Sequence, residues 1–577
     1  MTGVEVSTGP LGQGISNAVG MAIAQSHLAS TFNTPEFSVI DNFTYVICGD
    51  GCLQEGVSSE SSSLAGHLGL GRLIVLYDDN NITIDGSTDL SFTEDVGKRY
   101  EAYGWQVLTV EDVQTSLSNL RDAVAAARAQ TEKPTLIKVK TTIGFGSKNE
   151  GQSSTHGAPL KPDDLSMTKK SYGLPGEKSF YVPDDVQEFY AERTKAVEEK
   201  CTAWGEMYAK YKNSYPERAA ELARRFNRKI ADGALESLPT FDFKNDTPAA
   251  TRKYSAACIA SIASKLPELM GGSADLTPSN LTALACSGDF QKKSPEGRYL
   301  RFGVREHGMA AICNGLFAYG GIRPFCATFL NFIGYALGSV RVSALSKFGI
   351  IYVMTHDSIG LGEDGPTHQP VEMLESLRSM PNCNVFRPAD ANEMNSAYRT
   401  AIEKHETPSV ICCTRGGVPA LENSSVEKAS KGAYILVGDD GESPDLILVA
   451  SGSEIGICVD AATSLSTDGM KVRVVSMPCQ ELFLEQSVEY QRSILPGKFP
   501  TLSVEASAVH GWHRFSHAQI GMTRYGMSAP AKDLFKKFGF TVENVTEKSK
   551  ALVSFYKDAG SVPDLSSRPI FNNIQSD

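Results

Sequence analysis

The sequence predicts an α/β fold made of three successive doubly wound domains. A chain of 577 residues is too long for one hydrophobic core, because single cores stop growing at roughly 250–300 residues. Short runs rich in β-branched residues alternate with stretches of helical period, which is typical of parallel sheets layered with helices. The apolar fraction of 41%, with 51 Gly and 27 Pro, indicates a globular enzyme rather than a disordered or fibrous chain.

The first predicted domain, residues 1–235, contains three runs typical of buried strands, Thr44–Cys48, Leu73–Tyr77 and Thr135–Val139. A stretch of helical period, Leu120–Gln130, precedes the third run, which indicates parallel strands joined by helices. The domain is expected to end in a charged segment that has helical composition and no strand signal.

The second predicted domain, residues 236–425, opens with the polar stretch Phe241–Pro248, which we interpret as a connection between domains. Strand signals follow at Gly349–Met354 and Ser409–Cys413. These signals predict a second parallel sheet.

The third predicted domain, residues 426–577, contains one complete strand–helix–strand pattern. Leu446–Ala450 and Lys471–Val475 are apolar and β-branched, and the segment Glu454–Leu465 between them has a helical period. Such a unit places its two strands parallel in one sheet.

Charge and composition exclude several classes of function. The formal charge of −12 comes from 67 acidic and 55 basic residues, with no long run of one sign, which argues against a nucleic-acid partner or a basic membrane anchor. No apolar run reaches the roughly 18 residues of a membrane span, and the opening residues do not resemble a secretory signal. The twelve cysteines lack the paired spacings of a zinc site. We therefore expect a cytoplasmic protein with reduced cysteines.

The candidate site begins with Gly49, Asp50 and Gly51 at the end of the first strand, and with Asn80 at the end of the next. The carboxyl ends of parallel strands meet at one edge of a sheet, where ligands bind. Glycines let the backbone approach a diphosphate, and oxygen ligands to Mg²⁺ are available from Asp50, the Asn80 side chain and the main chain of Ile82. Gly-Asp-Gly also occurs as an ordinary tight turn, so both interpretations of this motif alone stay open.

Longer strings carry a family resemblance. The string GDGCLQEGVSSESSSLAGHLGLGRLIVLYDDNNITIDG at 49–86 resembles transketolase, as do RFGVREHGMAAI at 301–312 and THDSIGLGEDGPTHQP at 355–370. The resemblance covers nearly the whole chain. It implies two thiamine-diphosphate-binding folds, one for the diphosphate and one for the pyrimidine, followed by a C-terminal α/β domain. It also implies Mg²⁺, Ca²⁺ or Mn²⁺ as the metal. The further cofactor contacts that it implies in and around the diphosphate site are Gly9, Leu11, Gly51, Ile84, His156 and Asp275.

In the second domain the resemblance points to Glu306, within Arg-Glu-His, as the group that activates the cofactor. A carboxyl group hydrogen-bonded to the pyrimidine nitrogen N1′ favours the imino form that activates the thiazolium. Phe329, Phe332 and Tyr335 are then the aromatic wall around the pyrimidine. Taken alone, the charged triplet would be an ordinary surface cluster, and the aromatic spacing also suits core packing.

The resemblance assigns the substrate to polar groups above the cofactor. The phosphate of a sugar phosphate is expected at four side chains, Arg252, Ser279, His356 and Arg415. Asp364 is expected to bind a substrate hydroxyl, with His368 near the reacting end of the donor. The implied catalytic residues are Glu306, His368 and His156.

The implied reaction is the transfer of a two-carbon ketol unit from a ketose phosphate to an aldose phosphate, as in the pentose phosphate pathway. The implied transferase is a homodimer, in which the diphosphate domain of one subunit faces the pyrimidine domain of the other. Dihydroxyacetone synthase, a relative that uses formaldehyde as acceptor, is an alternative, because MPCQELFLEQSVEYQRSILPG at 477–497 resembles it equally well. A non-catalytic relative that binds thiamine diphosphate is the other alternative.

One part of the family pattern is absent. Transketolases normally carry a leading segment with histidines in SGHPG, NGH and GHPE contexts, and none of the ten histidines here has those neighbours. We therefore expect that segment to be missing, together with part of the first sheet, which would leave an unprotected edge or apolar face. The explanations that stay open are an incomplete sequence, a separate subunit that supplies the histidines, and a non-catalytic relative.

Overall fold

A computed structural model of the chain describes residues 3–244, 248–438, 441 and 443–567. The chain forms two compact units. The first comprises Met1–Lys229, Asp289–Arg298 and Ala311–Ile322, and the second comprises Ile230–Gly288, Tyr299–Ala310 and Arg323–Asp577. Part of the predicted connection Phe241–Pro248, residues 245–247, lies outside the described residues.

The first unit is built on a four-stranded parallel sheet with strand order β1-β2-β4-β3. The strands are β1 (Thr44–Gly49), β2 (Leu73–Asp79), β3 (Gln106–Val110) and β4 (Thr135–Lys140). The helices are α1 (Gln13–Phe32), α2 (Asp50–Gln54), α3 (Gly56–Leu68), α4 (Val96–Ala102), α5 (Ser118–Ala129), α6 (Pro162–Ser171), α7 (Asp184–Ser214) and α8 (Pro216–Phe226). The three strands predicted from the sequence are confirmed, and β3 is an additional one.

The sheet of the first unit is covered unevenly. Helices α1 and α3 pack together, and α1 lies against β1. On the sheet, α5 packs against β3 and β4 around a core that includes Ile74 and Ile137. Strand β1 is an edge of the described sheet, and its side chains Tyr45 and Ile47 are 49% and 81% exposed. Apolar side chains of a parallel strand are normally buried on both faces, so this exposure is unusual.

Two returning segments complete the first unit. Gly20 of α1 and Gly315 lie so close to neighbouring main chain that an added Cβ would be 2.0 Å from the Ile312 carbonyl oxygen and 1.8 Å from that of Asn17. The Asn17 side-chain amide also donates to the Ala311 carbonyl at 2.9 Å. Only glycine permits helices to approach this closely.

The second unit contains a six-stranded parallel sheet with strand order β6-β5-β7-β8-β10-β9. Its strands are β5 (Leu269–Ser273), β6 (Tyr299–Arg301), β7 (Arg323–Phe329), β8 (Ile351–Thr355), β9 (Asn384–Phe386) and β10 (Ser409–Cys413). The helices of this part of the chain are α9 (Thr251–Lys265), α10 (Thr277–Asn280), α11 (Glu306–Tyr319), α12 (Ile333–Leu345), α13 (Met373–Arg378) and α14 (Ala391–Glu403).

The same unit contains the five-stranded C-terminal sheet, with strand order β11-β13-β12-β14-β15. Its strands are β11 (Tyr434–Val437), β12 (Leu446–Ala450), β13 (Val472–Ser476), β14 (Thr501–Ala508) and β15 (Ala518–Met522). Its helices are α15 (Val426–Ala429), α16 (Glu454–Thr467), α17 (Gln480–Leu484), α18 (Val488–Ile494), α19 (Ala531–Lys537) and α20 (Val542–Ala559). The predicted β12–α16–β13 unit is confirmed. The sheet is mixed, because β11 pairs antiparallel with β13.

Within the described residues, no helix is long and apolar enough to cross a membrane. The cysteines in this part of the chain form no disulfide, and most of them are buried.

Candidate functional site

The carboxyl ends of β1, β2 and β4 border a cleft of about 1120 Å³ in the first unit. Asp50 begins helix α2 directly after β1, and Asn80 follows β2. The register pairs Gly49 with Asp78, so the two strand ends lie side by side. The predicted residues that line the cleft are Leu11, Asp50, Gly51, Asn80, Ile82, Ile84 and His156. The predicted residue Gly9 is exposed and is not among the residues lining it.

Asp50 is a buried carboxylate in which only one of the two oxygens accepts a hydrogen bond from another side chain. Its side chain is 3% exposed, and Oδ1 accepts a hydrogen bond from the Tyr77 hydroxyl. Oδ2 is buried and has no hydrogen-bond partner. Burial raises the pKa of Asp50, the Tyr77 hydrogen bond opposes this, and the charges of Asp79 and Asp78 raise it further. A buried carboxylate in this state is stabilised by a cation, so the geometry fits a divalent metal.

The orientation of the Asn80 side chain is fixed by hydrogen bonds to its neighbours. Its amide nitrogen donates to Asp78 Oδ2 at 3.2 Å, and its carbonyl oxygen accepts from the Ile82 main-chain N–H at 3.0 Å. Thr141 donates its hydroxyl to the other Asp78 oxygen. A carbonyl oxygen has two lone pairs, so Asn80 Oδ1 can still act as a ligand.

The oxygens available to a metal here are those of the Asp50 carboxylate and the Asn80 amide, and the predicted third ligand, Ile82, lines the same cleft. Mg²⁺ prefers oxygen ligands of this kind and retains part of its water and phosphate shell. In the described residues, no group of three or more His, Cys, Asp or Glu side chains is arranged around a metal position. The amide and main-chain oxygens are thus essential to the fit.

Tyr77, Asp78 and Thr141 support this site and were not predicted from the sequence. Tyr77 and Asp78 stand near the end of β2, three and two residues before Asn80, which is the signal that could have identified them. Thr141 follows β4, and its position beside Asp78 depends on the order of strands in the sheet.

In the second unit, Glu306 is the first residue of α11 and is half-buried. Burial raises the pKa of its carboxyl group. A carboxyl group whose neutral form is favoured can share a proton with a ring nitrogen of a bound heterocycle.

Aromatic side chains and two of the predicted histidines form one group in the second unit. The rings of Phe329 and Phe332 are stacked at 6.0 Å, and those of Phe332 and Tyr335 lie 6.3 Å apart. His356 lies 4.2 Å from the Phe329 ring, and His368 lies 5.1 Å from the Phe332 ring. Phe329 is 8% exposed and Tyr335 is 70% exposed, so the group runs from the core to the surface.

Arg252, His356 and Arg415 converge on one position. Burial lowers the pKa of His356 to about 3, and the charges of Arg252 and Arg415 lower it further. Burial also lowers the pKa of Arg252, with a contribution from Arg415. Arg252 donates one N–H to the Ser279 carbonyl at 2.8 Å, whereas its buried Nε has no hydrogen-bond partner. Arg415 also pairs with the exposed Glu363 at 3.3 Å. The Arg252 guanidinium, with its unused donor, is suited to an anion such as phosphate.

Backbone strain marks two of the predicted positions. His356 follows β8 with φ +63°, and Asp275 follows β5 with φ +60°. Non-glycine residues seldom adopt this left-handed conformation, and when they do they cluster at functional sites. Asp364 lies exposed in the loop after β8, on the same segment as His368.

One α/β unit thus has a cleft at its strand ends that bears Asp50 and Asn80, and the other carries Glu306 and the aromatic group. This arrangement is typical of a thiamine-diphosphate-dependent type of enzyme. Three family descriptions match the chain. They are the thiamine diphosphate binding domain of transketolase at residues 1–231, the transketolase pyrimidine binding domain at 247–420, and the transketolase-like C-terminal domain at 432–541.

Individual relatives agree with these matches. Transketolase 1 of Saccharomyces cerevisiae is 51% identical over 564 residues, which cover 96% of this chain and 82% of that protein. The transketolase of Scheffersomyces stipitis is 50% identical over 98% of this chain and 84% of its own length. The chain therefore belongs to the transketolase family, which makes it a transferase.

Solved structures show the same similarity. A crystal structure of transketolase from Pichia stipitis with sedoheptulose 7-phosphate has a TM-score of 0.95 at 49% identity, covering 99% of this chain and 84% of that chain. The transketolase of Leishmania mexicana has a TM-score of 0.94 at 50% identity, covering 97% of this chain and 83% of that one.

Proposed function

We propose that this protein transfers a two-carbon ketol unit from a ketose phosphate to an aldose phosphate, using thiamine diphosphate and Mg²⁺. The observation that carries the proposal is the convergence of Arg252, His356 and Arg415 beside the aromatic group. Arg415 is paired with the exposed Glu363 at 3.3 Å, whereas the buried Nε of Arg252 is an unused donor. A phosphate group would accept a hydrogen bond from that donor. The sugar phosphate bound in the similar Pichia stipitis structure supports the same substrate class.

In the first unit, Asp50 Oδ2, the Asn80 side-chain oxygen and the Ile82 carbonyl would hold the metal. When bound, thiamine diphosphate supplies the carbanion chemistry that breaks and forms the carbon–carbon bond. Tyr77 holds Asp50 in place through its hydroxyl, and Asp78 fixes the orientation of the Asn80 amide. Leu11, Ile84 and His156 line the same cleft, where they would contact the cofactor.

In the second unit, Glu306 would hold a proton at its carboxyl group and share it with the pyrimidine nitrogen. Phe329, Phe332 and Tyr335 would enclose the pyrimidine and exclude water. Asp364 would accept a hydrogen bond from a substrate hydroxyl, and His368 would donate to the reacting end of the donor.

The phosphate would lie against the two guanidinium groups and His356, with Ser279 beside them. Because His356 is held neutral by its surroundings, it would act as a hydrogen-bond donor rather than as a cation. Asp275 would contact the cofactor from its strained turn.

We propose a homodimer in the cytosol as the working form, with a place in the pentose phosphate pathway. Similarity to transketolases supports the dimer and the pathway. The absence of disulfides among the cysteines of the described chain supports a reducing compartment.

We also propose that the histidines of the SGHPG, NGH and GHPE motifs come from polypeptide outside these 577 residues, either as preceding sequence or as a separate subunit. The exposed Tyr45 and Ile47 on strand β1 support this, because an uncovered parallel sheet favours another layer of structure.

Ketol transfer from xylulose 5-phosphate to an aldose phosphate should be measured with the chain alone and with a polypeptide that carries the three motifs. We expect activity only with the added polypeptide. Transfer to formaldehyde in preference to aldose phosphates would indicate dihydroxyacetone synthase activity. Cofactor binding without turnover in every combination would indicate a non-catalytic relative.

The roles of Glu306 and Asp50 can be separated by measuring turnover alongside thiamine diphosphate binding by calorimetry. Glu306→Gln should abolish turnover and largely preserve thiamine diphosphate affinity, whereas Asp50→Ala should first weaken metal-dependent binding. Asp85→Ala is the matched control, because Asp85 lines the same cleft and is exposed. The opposite pattern for Glu306 and Asp50 would reverse the assignment.

A further inference from the structure

The loop that carries Asp364 and His368 is attached to the C-terminal part of the second unit. Ser528 donates its hydroxyl to the Glu363 carbonyl near the start of this loop. At its end, the Val371 carbonyl accepts from the Ser507 hydroxyl at 2.7 Å and from the Ala508 main-chain N–H at 2.8 Å. The loop is thus fixed from outside at both of its ends.

Gln369 provides the central attachment. Its side chain is 1% exposed, and its amide nitrogen donates to the Gly362 carbonyl at 2.8 Å and to the Met527 carbonyl at 2.9 Å. The Gln369 amide group therefore links the two ends of the loop to each other, and it also links the loop to Met527 in the C-terminal segment. Its main-chain N–H and that of His368 both donate to the Gly365 carbonyl, at 3.1 and 3.0 Å.

Close packing leaves little freedom at this contact. A Cβ added to Gly526 would lie 1.6 Å from the Gln369 side-chain oxygen, and one added to Gly365 would lie 3.2 Å from Ser528. Gly362 and Gly365 have φ values of +94° and +81°, which other residues adopt only with strain. The loop conformation is therefore specific and depends on contacts supplied by residues 526–528.

We infer that Gln369 is a positioning residue for ketol transfer, and that it holds Asp364 in place by clamping the loop that carries it to Met527. This inference rests on the proposed function, because the role of Asp364 belongs to it. Gln369 acts only through the loop. The C-terminal domain thereby contributes to donor recognition through its main chain.

A kinetic test follows from the position of Asp364. Gln369→Met keeps the length and apolar volume of the side chain but removes both hydrogen bonds. Misplacement of a binding group by about 1 Å costs on the order of a hundredfold in rate, so kcat/KM for a ketose phosphate donor should fall by about that factor. A three-carbon 3-hydroxy-2-oxo acid donor has no hydroxyl beyond the transferred two-carbon unit for Asp364 to bind and should lose much less.

A double-mutant cycle separates positioning from a general structural role. If Gln369 acts through Asp364, the variant with both Gln369→Met and Asp364→Ala should be no slower with the ketose phosphate than Asp364→Ala alone. Thiamine diphosphate affinity should be unchanged in Gln369→Met. Equal losses for both donors, or additive losses in the double variant, would overturn the inference.

A milder variant covers the case in which Gln369→Met does not fold. Ser528 is exposed, so Ser528→Ala should preserve the fold and reproduce the donor-selective loss at a few-fold level. Thr523→Ala, an exposed hydroxyl in the same segment, is the matched control and should have no effect.

Hydrogen exchange tests whether Gln369 clamps the loop, and it does so independently of catalytic activity. Peptides that cover residues 362–369 should exchange faster in Gln369→Met and in Ser528→Ala, whether or not the protein is active. Absence of ketol transfer in the wild-type protein with the histidine-bearing polypeptide would refute the proposed function, and the positioning role with it. Unchanged exchange would refute the clamp alone.

Discussion

Arg387 is a buried cation whose removal should be among the most damaging single changes in the second unit. Its side chain is fully buried, and Nε donates to Asp357 at 2.9 Å. Nη1 contacts Glu454, donates to the Ser451 carbonyl at 3.0 Å, and lies 3.7 Å from Glu505. One guanidinium group therefore joins the turn after β8 to strands of the C-terminal sheet.

The expected loss follows from which carboxylates would be left without a cation. Glu505 would keep two hydrogen bonds from Arg378, at 2.8 and 2.9 Å. Asp357 and Glu454 would remain buried without a basic partner. Removing one partner of a buried ion pair costs about 3–5 kcal/mol. Because each 1.36 kcal/mol is a factor of ten, Arg387→Met should lower exchange protection by roughly a hundred- to a few-thousand-fold.

Hydrogen exchange of peptides from β12 and β14 measures this opening free energy directly. Arg524→Met is the matched control, because Arg524 is exposed, and its exchange should match the wild type. Adding Asp357→Asn and Glu454→Gln to Arg387→Met should restore much of the protection, since the unpaired charges are then absent. A loss below about 1 kcal/mol for Arg387→Met, within the range of exposed pairs, would refute the reasoning.

Three further predictions concern pH, substrate and the exposed strand. Burial raises the pKa of Glu393 from 4.5 to about 7, with a contribution from the charge of Asp390, so stability should be full below pH 4.5 and decline as the pH rises to 7. Glu393→Gln should flatten this decline in urea unfolding followed across that pH range; an unchanged pH profile would contradict it. Arg252→Met should raise KM for a phosphorylated donor by roughly 10- to 100-fold in steady-state assays, since hydrogen bonds to charged groups are worth about 1.5–3 kcal/mol; an equal increase for a donor without phosphate would contradict the assignment. Ile47→Ser should change thermal stability by less than about 0.5 kcal/mol, because the side chain is exposed, but should weaken binding of the histidine-bearing polypeptide; unchanged binding would exclude this strand as the contact.

The sequence predicted the strands of each sheet where local pattern is strong. The β12–α16–β13 unit was predictable because two apolar, β-branched runs lie on either side of a segment with a helical period, all within one short stretch. Strand β3 was missed because most of its residues are only half-buried, and the polar Gln106 and Thr109 interrupt the apolar run that marks a buried strand. The antiparallel pairing of β11 was also missed, since the direction of an edge strand depends on the connection before it rather than on its own residues.

The site was predictable to the extent that it lies at strand ends. Asp50 and Asn80 meet because parallel neighbouring strands end together, which sequence order alone implies. Arg387 and Gln369 were not identified, because no local motif marks them and they depend on distant partners. Asp357 and Glu454 lie 30 and 67 residues from Arg387, and Met527 lies 158 residues from Gln369. The strained backbone at His356 likewise depends on tertiary packing and has no signature in the sequence.

The packing of α1 against Ala311–Ile322 limits where the chain can be divided into fragments that fold. The first unit is not one continuous stretch, because Ala311–Ile322 joins it after a long excursion of the chain. A fragment that stops at Lys229 would lack the partner that Gly20 is shaped to meet. Recombination or truncation within the intervening helices would therefore damage this unit even though none of its sheet strands is touched.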